Sequence, residues 1–261
     1  MGVRRENRVR RAAFRQWAGF VLASAALSLA ALSLAALLLA TLLLAAPIAA
    51  EDRPRLVVYL HTTIRARALE NILQNELPAV DVLVVSRHRD FARELSQRPD
   101  AALALQPVLR DQGWISELAG TRSGEDTEPY VLLSIGSGVD SARPAQLVLG
   151  AVDLMGRERT SAFVAGLLES PVVPSIKYVI KTEDLLPLLQ FRSVDAVVLS
   201  DHEANRIKRI SKLDLRITPL SKRVGLAGVV FTTPRGRALI KPGIQALTPD
   251  ALSKLGVEAW R

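Results

Sequence analysis

The sequence predicts an α/β protein of two three-layer lobes joined by a two-strand hinge and preceded by an apolar N-terminal segment. Three observations carry this. Short apolar runs alternate with helical periodicity from residue 55 onward. The runs are continuous rather than alternating, as expected of strands buried on both faces of a sheet with helices on each side. And the βαβαβ order occurs twice, before and after a stretch rich in Gly, Ser and charge.

The first 50 residues stand apart. Arg4, Arg5, Arg8, Arg10, Arg11 and Arg15 face a single Glu6, and residues 20–50 carry no charge. A basic flank, an apolar run and the small residues Ala49 and Ala50 before Glu51 have signal-peptide anatomy. The run also exceeds the ~20 residues that a membrane-spanning helix needs. Residues 1–50 are therefore read as a signal peptide or a membrane anchor. Both place the remainder outside the cytoplasm, in the periplasm, free or tied to the inner membrane.

Export changes the charge argument. The chain carries 34 basic and 26 acidic residues, but six of the basic ones lie in the first 50 positions, which leaves 28 against 25. The strongly basic face expected of a nucleic-acid binder is missing, so no nucleic-acid partner is expected. With no cysteine, disulfides, thiolate metal sites and cysteine nucleophiles are excluded. No GxSxG elbow and no GxGxxG turn is present, and the three histidines lack metal-site spacing. The expectation is a non-enzymatic protein with no metal and no cofactor.

In order, residues 56–60 read as a strand and 63–76 as a helix with Ile64, Ala68, Leu69 and Ile72 on one face. Residues 80–85 form the second strand, 89–97 the second helix and 101–107 the third strand, with a loop over 111–130. "YVLLSIGSG" and "GLAGVVFTT" are strands. Between them lie strands at 146–152, 175–181, 194–200 and 213–220, and helices at 157–170, 182–191 and 201–210. The tail from Pro249 reads as a helix capped by Thr248. Thr62 or Thr63, Ser86, Thr182 and Asp201 are the helix caps expected of the other starts. Lobe 1 is drawn as residues 55–130 with the return of 226–261, and lobe 2 as 131–225.

Ligands of such sheets sit beyond the carboxyl ends of the strands. That singles out Tyr59, His61, Thr62 and Thr63 after the first strand, Gln106 after the third, Ser134 near the glycines, Arg159, Thr160 and Ser161 at the start of a helix, and Asp201. Capping alone is the competing role for the threonines and for Asp201.

The stretches "LVVYLHTTIRARALENIL", "RPDAALALQPVL" and "LLQFRSVDAVVLSDHEANRI" resemble the strand–loop–helix segments of type II periplasmic binding proteins, in particular the phosphate/phosphonate branch of ABC-transporter receptors. "YVLLSIGSG" and "GLAGVVFTT" fall where the hinge-crossing strands of that family lie. The resemblance implies lobes that close on a small anion, Thr160 and Ser161 offering a helix start to an oxyanion, and an ABC permease or a membrane sensor as partner. The rival expectation is a membrane-tethered sensory or interaction domain of the same fold with a degenerate ligand cleft. A transferase of the porphobilinogen deaminase type shares the two-lobed outline, but the missing cysteine argues against that chemistry.

Overall fold

Residues 53–261, apart from 63, 137, 141 and 142, are described in a computed structural model. The apolar segment over 20–50 lies outside the described residues. Among the described residues no helix is long and apolar enough to cross a membrane.

The first sheet opens with β1 (Arg55–Tyr59), β2 (Asp81–Val85) and β3 (Ala101–Leu105), connected by α1 (Ala66–Glu76) and α2 (His88–Ser96). Both β2 and β3 pair with β1 in parallel. Leu56 and Val58 point to one face, where Leu69 and Leu73 of α1 cover them, and Val57 and Tyr59 point to the other, where Phe91 of α2 lies. Every one of these side chains is essentially inaccessible. This two-sided burial is the reason the strands read as unbroken apolar runs.

Next come α3 (Gln106–Asp111) and β4 (Leu118–Thr121), after which the chain crosses into the second sheet as β5 (Thr127–Ile135). That sheet is completed by β6 (Val148–Val152), β7 (Ser175–Val179), β8 (Ala196–Ser200) and β9 (Leu215–Gly225), with α4 (Arg157–Leu167), α5 (Leu185–Gln190) and α6 (Asp201–Ile210) on its faces. At Gly225 the chain returns as β10 (Ala227–Phe231), followed by the short helices α7 (Pro234–Leu239), α8 (Lys241–Gln245) and α9 (Pro249–Lys254) and the edge strand β11 (Ala259–Trp260).

The sheet orders are β11-β4-β10-β3-β1-β2 and β7-β6-β8-β5-β9. Apart from β11 they follow one plan. Three parallel strands lie beside an antiparallel strand that has just crossed from the other lobe, and the lobe's fourth strand lies beyond it. The sheets are therefore mixed rather than purely parallel, because each borrows a strand whose direction is set by the crossing.

Several local expectations need correction. Thr182 caps no helix and lies inside a short 3-10 turn that starts after Lys181, and the tail helix stops at Lys254 before β11. Thr62 does not cap α1: its hydroxyl donates to the Ile64 carbonyl at 3.3 Å, and the cap position is Arg65, whose side chain caps nothing. Ser86 is likewise displaced by Arg87, and Asp201 by Ser200, whose Oγ accepts from the Glu203 N–H at 3.3 Å. Ala68 is exposed, and Leu73 takes the buried position instead. The region read as a loop over 111–130 contains β4, whose short apolar segment is hidden among polar residues. Thr248 caps α9 as expected, accepting from Ala251 N–H.

Two outcomes follow. Replacing Arg65, which already has the extended backbone of an N-cap, with Ser should raise the unfolding free energy by about 1 kcal/mol in urea titrations. Phe91→Ala should lower it by about 3–5 kcal/mol, since the ring is fully buried and stacks on Tyr59 at 5.1 Å.

Candidate functional site

A cavity of about 280 Å³ lies between the lobes, where the carboxyl ends of β1, β3, β6 and β8 converge. From the first lobe Leu60, His61, Thr62, Ile64 and Leu105 contribute; from the second, Val152, Thr160, Phe163 and Ser200; from the crossing, Tyr130 and Leu226. Much of the wall is hydrocarbon.

The charged part of the wall is internally paired. Arg122 places Nη1 2.7 Å from Glu128 Oε2, and its Nη2 donates to the Gly256 carbonyl. Arg206 donates from Nε and Nη2 to one oxygen of Glu203, at 3.0 and 2.8 Å. Burial raises the Glu128 pKa, and the Arg122 charge with a hydrogen bond from Ser200 works against that rise. Tyr130 is pushed up by burial, with Glu128 and Glu203 adding to it. None of these charged residues was singled out from sequence. Arg122 and Glu128 sit in the stretch read as a loop, and the turn that joins them, with its Arg122–Glu125 bridge, leaves no periodic trace. The Glu203–Arg206 pair has a usable signal, an (i, i+3) spacing on a predicted helix.

Below the cavity the lobes meet directly. Tyr59, from β1, donates its hydroxyl hydrogen to the Asp153 carbonyl of the second lobe at 3.1 Å. Leu154 and Met155, in the β6–α4 turn, are buried in the same cluster as Val57, Phe91 and Leu109 of the first lobe. Arg159 of α4 reaches Asp111 at the end of α3, 2.6 Å to Oδ2 and 3.2 Å to the carbonyl. Thr160 ties the turn itself: its Oγ1 accepts from the Met155 N–H at 3.0 Å and donates to Asp153 Oδ1 at 3.2 Å.

The predicted site residues thus divide. His61, Thr62 and Thr160 line the cavity. Tyr59 and Arg159 lie in the seam between the lobes. Ser161 is bonded to the Tyr178 hydroxyl, which in turn donates to the Arg157 carbonyl. Gln106 is buried where the chain recrosses: its N–H donates to the Leu226 carbonyl, and its side chain fills the space where Gly225 lacks a Cβ. It opens α3 rather than ending a strand. Ser134 is buried within β5, between Ala196 and Arg216, with no partner for its hydroxyl among the described residues and away from the cavity wall. Asp201 borders a separate surface recess with Arg209 and Arg223. Thr63 lies outside the described residues. Among the described residues no group of three or more metal-ligating side chains occurs.

No family model and no curated protein matches the chain. Solved structures do, at the level of fold. The periplasmic VFT2 domain of BvgS from Bordetella pertussis aligns with 14% identity and a TM-score of 0.51, covering 78% of this chain and 93% of that one. An amino acid ABC transporter substrate-binding protein, AbpA, from Streptococcus pneumoniae bound to L-arginine aligns with 16% identity and a TM-score of 0.54, covering 80% and 94%. XAC2383 from Xanthomonas citri bound to ATP aligns with 12% identity and a TM-score of 0.57, covering 80% and 90%.

The two mixed-sheet lobes share the fold of these periplasmic and substrate-binding domains. The expected phosphate/phosphonate branch is corrected: the matching structures include arginine-bound and amino acid-binding proteins. The hydroxyls on which that assignment leaned are already committed, Thr62 to a backbone carbonyl and Thr160 to the β6–α4 turn. At 14% and 16% identity these structures bear on the fold of this chain alone.

His61 supplies a pH test. Burial lowers its pKa from 6.5 to about 4. The unfolded chain therefore binds the proton more readily, so stability rises with pH across this window and is lost as pH falls from about 6.5 to about 4. Urea titrations of the wild-type protein and His61→Gln should diverge in that window, the variant losing less. The difference isolates the imidazole from Glu128, whose raised pKa contributes with the opposite sign.

Proposed function

We propose that the chain is an exported sensory or interaction domain, tied to the membrane by its apolar N-terminal segment, whose lobes are held together by its own side chains. The observation that carries this is the seam. The Leu154–Met155 turn of one lobe is part of the hydrophobic core of the other, and Tyr59–Asp153 and Arg159–Asp111 flank it. In a transport receptor, closure depends on the ligand's greater affinity for the closed state. Here contacts within the chain supply that preference.

The paired cleft charges support the same reading. Each of Arg122 and Arg206 faces a carboxylate of this chain, and a charged solute would have to displace it. Such a displacement leaves a partly buried charge unanswered. The likeness in fold to the periplasmic VFT2 domain of BvgS is consistent with a role outside the cytoplasm, and the partner we assign is a membrane-bound signalling protein rather than a permease.

Thermal denaturation tests it. A receptor with a Kd of about 10 μM gains about 2.7 kcal/mol at 1 mM solute, which raises Tm by roughly 5–10 °C. Shifts below about 1 °C are expected with L-arginine, the other amino acids and inorganic anions. A shift of receptor size with any of them would return the chain to solute capture. Mass spectrometry of the exported protein should find an N-terminus at Met1 or Gly2, whereas Glu51 would remove the tether. The double variant Tyr59→Phe, Arg159→Ala should leave the radius of gyration in X-ray scattering unchanged, because the inserted Leu154–Met155 turn still joins the lobes and an exposed ion pair and one hydrogen bond are worth only about 1–2 kcal/mol together.

A further inference from the structure

We infer that the interlobe cavity receives an uncharged, largely apolar small molecule that carries one hydrogen-bond donor, with His61 as the acceptor. The inference rests on the reading above that the cleft does not capture charged solutes, and goes beyond it in giving the residual chamber a ligand class.

Three observations converge. The first is size and lining. Leu60, Ile64, Leu105, Val152, Phe163 and Leu226 bring hydrocarbon from both lobes to a space of about 280 Å³. A cavity of about 150 Å³ takes benzene, so this one is large enough for a bicyclic ring. The second is the polar inventory. Arg122, Glu128, Glu203 and Arg206 answer one another, and Thr62 and Thr160 have spent their hydroxyl hydrogens on this chain. A charged ligand finds no free countercharge among these groups, while an apolar one leaves them undisturbed.

The third is the tautomer of His61. Tyr59 has one hydroxyl hydrogen, which goes to the Asp153 carbonyl at 3.1 Å. His61 Nε2 lies 3.4 Å from the same hydroxyl oxygen and must then be the donor of that contact. In the neutral ring this leaves Nδ1 as an acceptor. The Tyr59 contact is the imidazole's one hydrogen bond among the described residues. His61 thus brings a hydrogen-bond acceptor to a wall that is hydrocarbon in part and whose arginine–glutamate pairs are already matched.

Indole, 1-methylindole, indole-3-carboxylate and L-arginine form the test set, at 1 mM against the exported domain, read by thermal shift and by saturation-transfer NMR from protein methyl groups. Indole should raise Tm by at least 2 °C and receive saturation; indole-3-carboxylate and L-arginine should do neither. 1-Methylindole, which lacks the donor, should give less than half the indole shift, and His61→Ala should reduce the two to the same level. Val164→Phe, which fills the cavity from α4, should abolish the effect. Should that variant not fold, saturation transfer to indole in the wild-type protein decides alone. Absence of both shift and saturation with indole overturns the inference and leaves the proposed function standing if arginine is also silent. A larger shift with indole-3-carboxylate overturns it too. Equal shifts with indole and 1-methylindole overturn the role of His61. A receptor-sized shift with L-arginine overturns the underlying reading instead.

Discussion

The burial of Leu154 and Met155 against Val57, Tyr59 and Phe91 is the contact on which the rest of this molecule depends. In a two-lobed protein the lobes are separate hydrophobic bodies linked by two chain crossings, and their relative position is free unless something spans them. Here the β6–α4 turn places two large apolar side chains inside the other lobe's core. Interiors are close-packed and respond to a change of even one methylene, so this insertion fixes the lobes more firmly than the rim ion pair Arg159–Asp111 can. Hydrogen bonds of Tyr59 and Thr160 then hold the inserted turn in shape.

That seam determines what remains of the cleft. Once the lobes are pressed together at Tyr59 and Met155, the space above is a chamber between His61 on one side and Phe163 on the other. The guanidinium groups that line it lie near carboxylates at distances of 2.7–3.0 Å. Opposite charges this close in a partly desolvated wall interact far more strongly than at the surface. An arginine in such a position acts as structure, whereas the same residue unpaired would be a recognition group. The fold allows either outcome, since similar frames hold arginine in one protein and ATP in another.

Two residues show how far local reasoning reached. Thr62 was singled out as a cap or a ligand contact, and its hydroxyl serves neither helix nor any exposed site: it turns back on Ile64. A short polar side chain finds several backbone acceptors within reach, and nothing local ranks them. Gln106 was placed at a strand end, yet it begins a helix and fills the hollow over Gly225, more than a hundred positions away. No pattern in either segment announces the other. The parallel strands, by contrast, were readable to within about two residues, because burial on both faces demands a continuous apolar run, whereas β5 and β9 missed their bounds by three to five residues and β4 and β11 went unread.

The sequence by itself determined most of the elements and the doubled βαβαβ order, since each rests on periodicity or composition within a few tens of residues. It also excluded cysteine chemistry and placed His61, Thr62 and Thr160 on the side where the strands end. The tertiary structure alone decided the mixed sheets, the inserted turn and the pairing of Arg122 with Glu128 and of Tyr59 with Asp153. Those depend on where distant segments come to rest, and contact free energies between remote residues leave no local period to read.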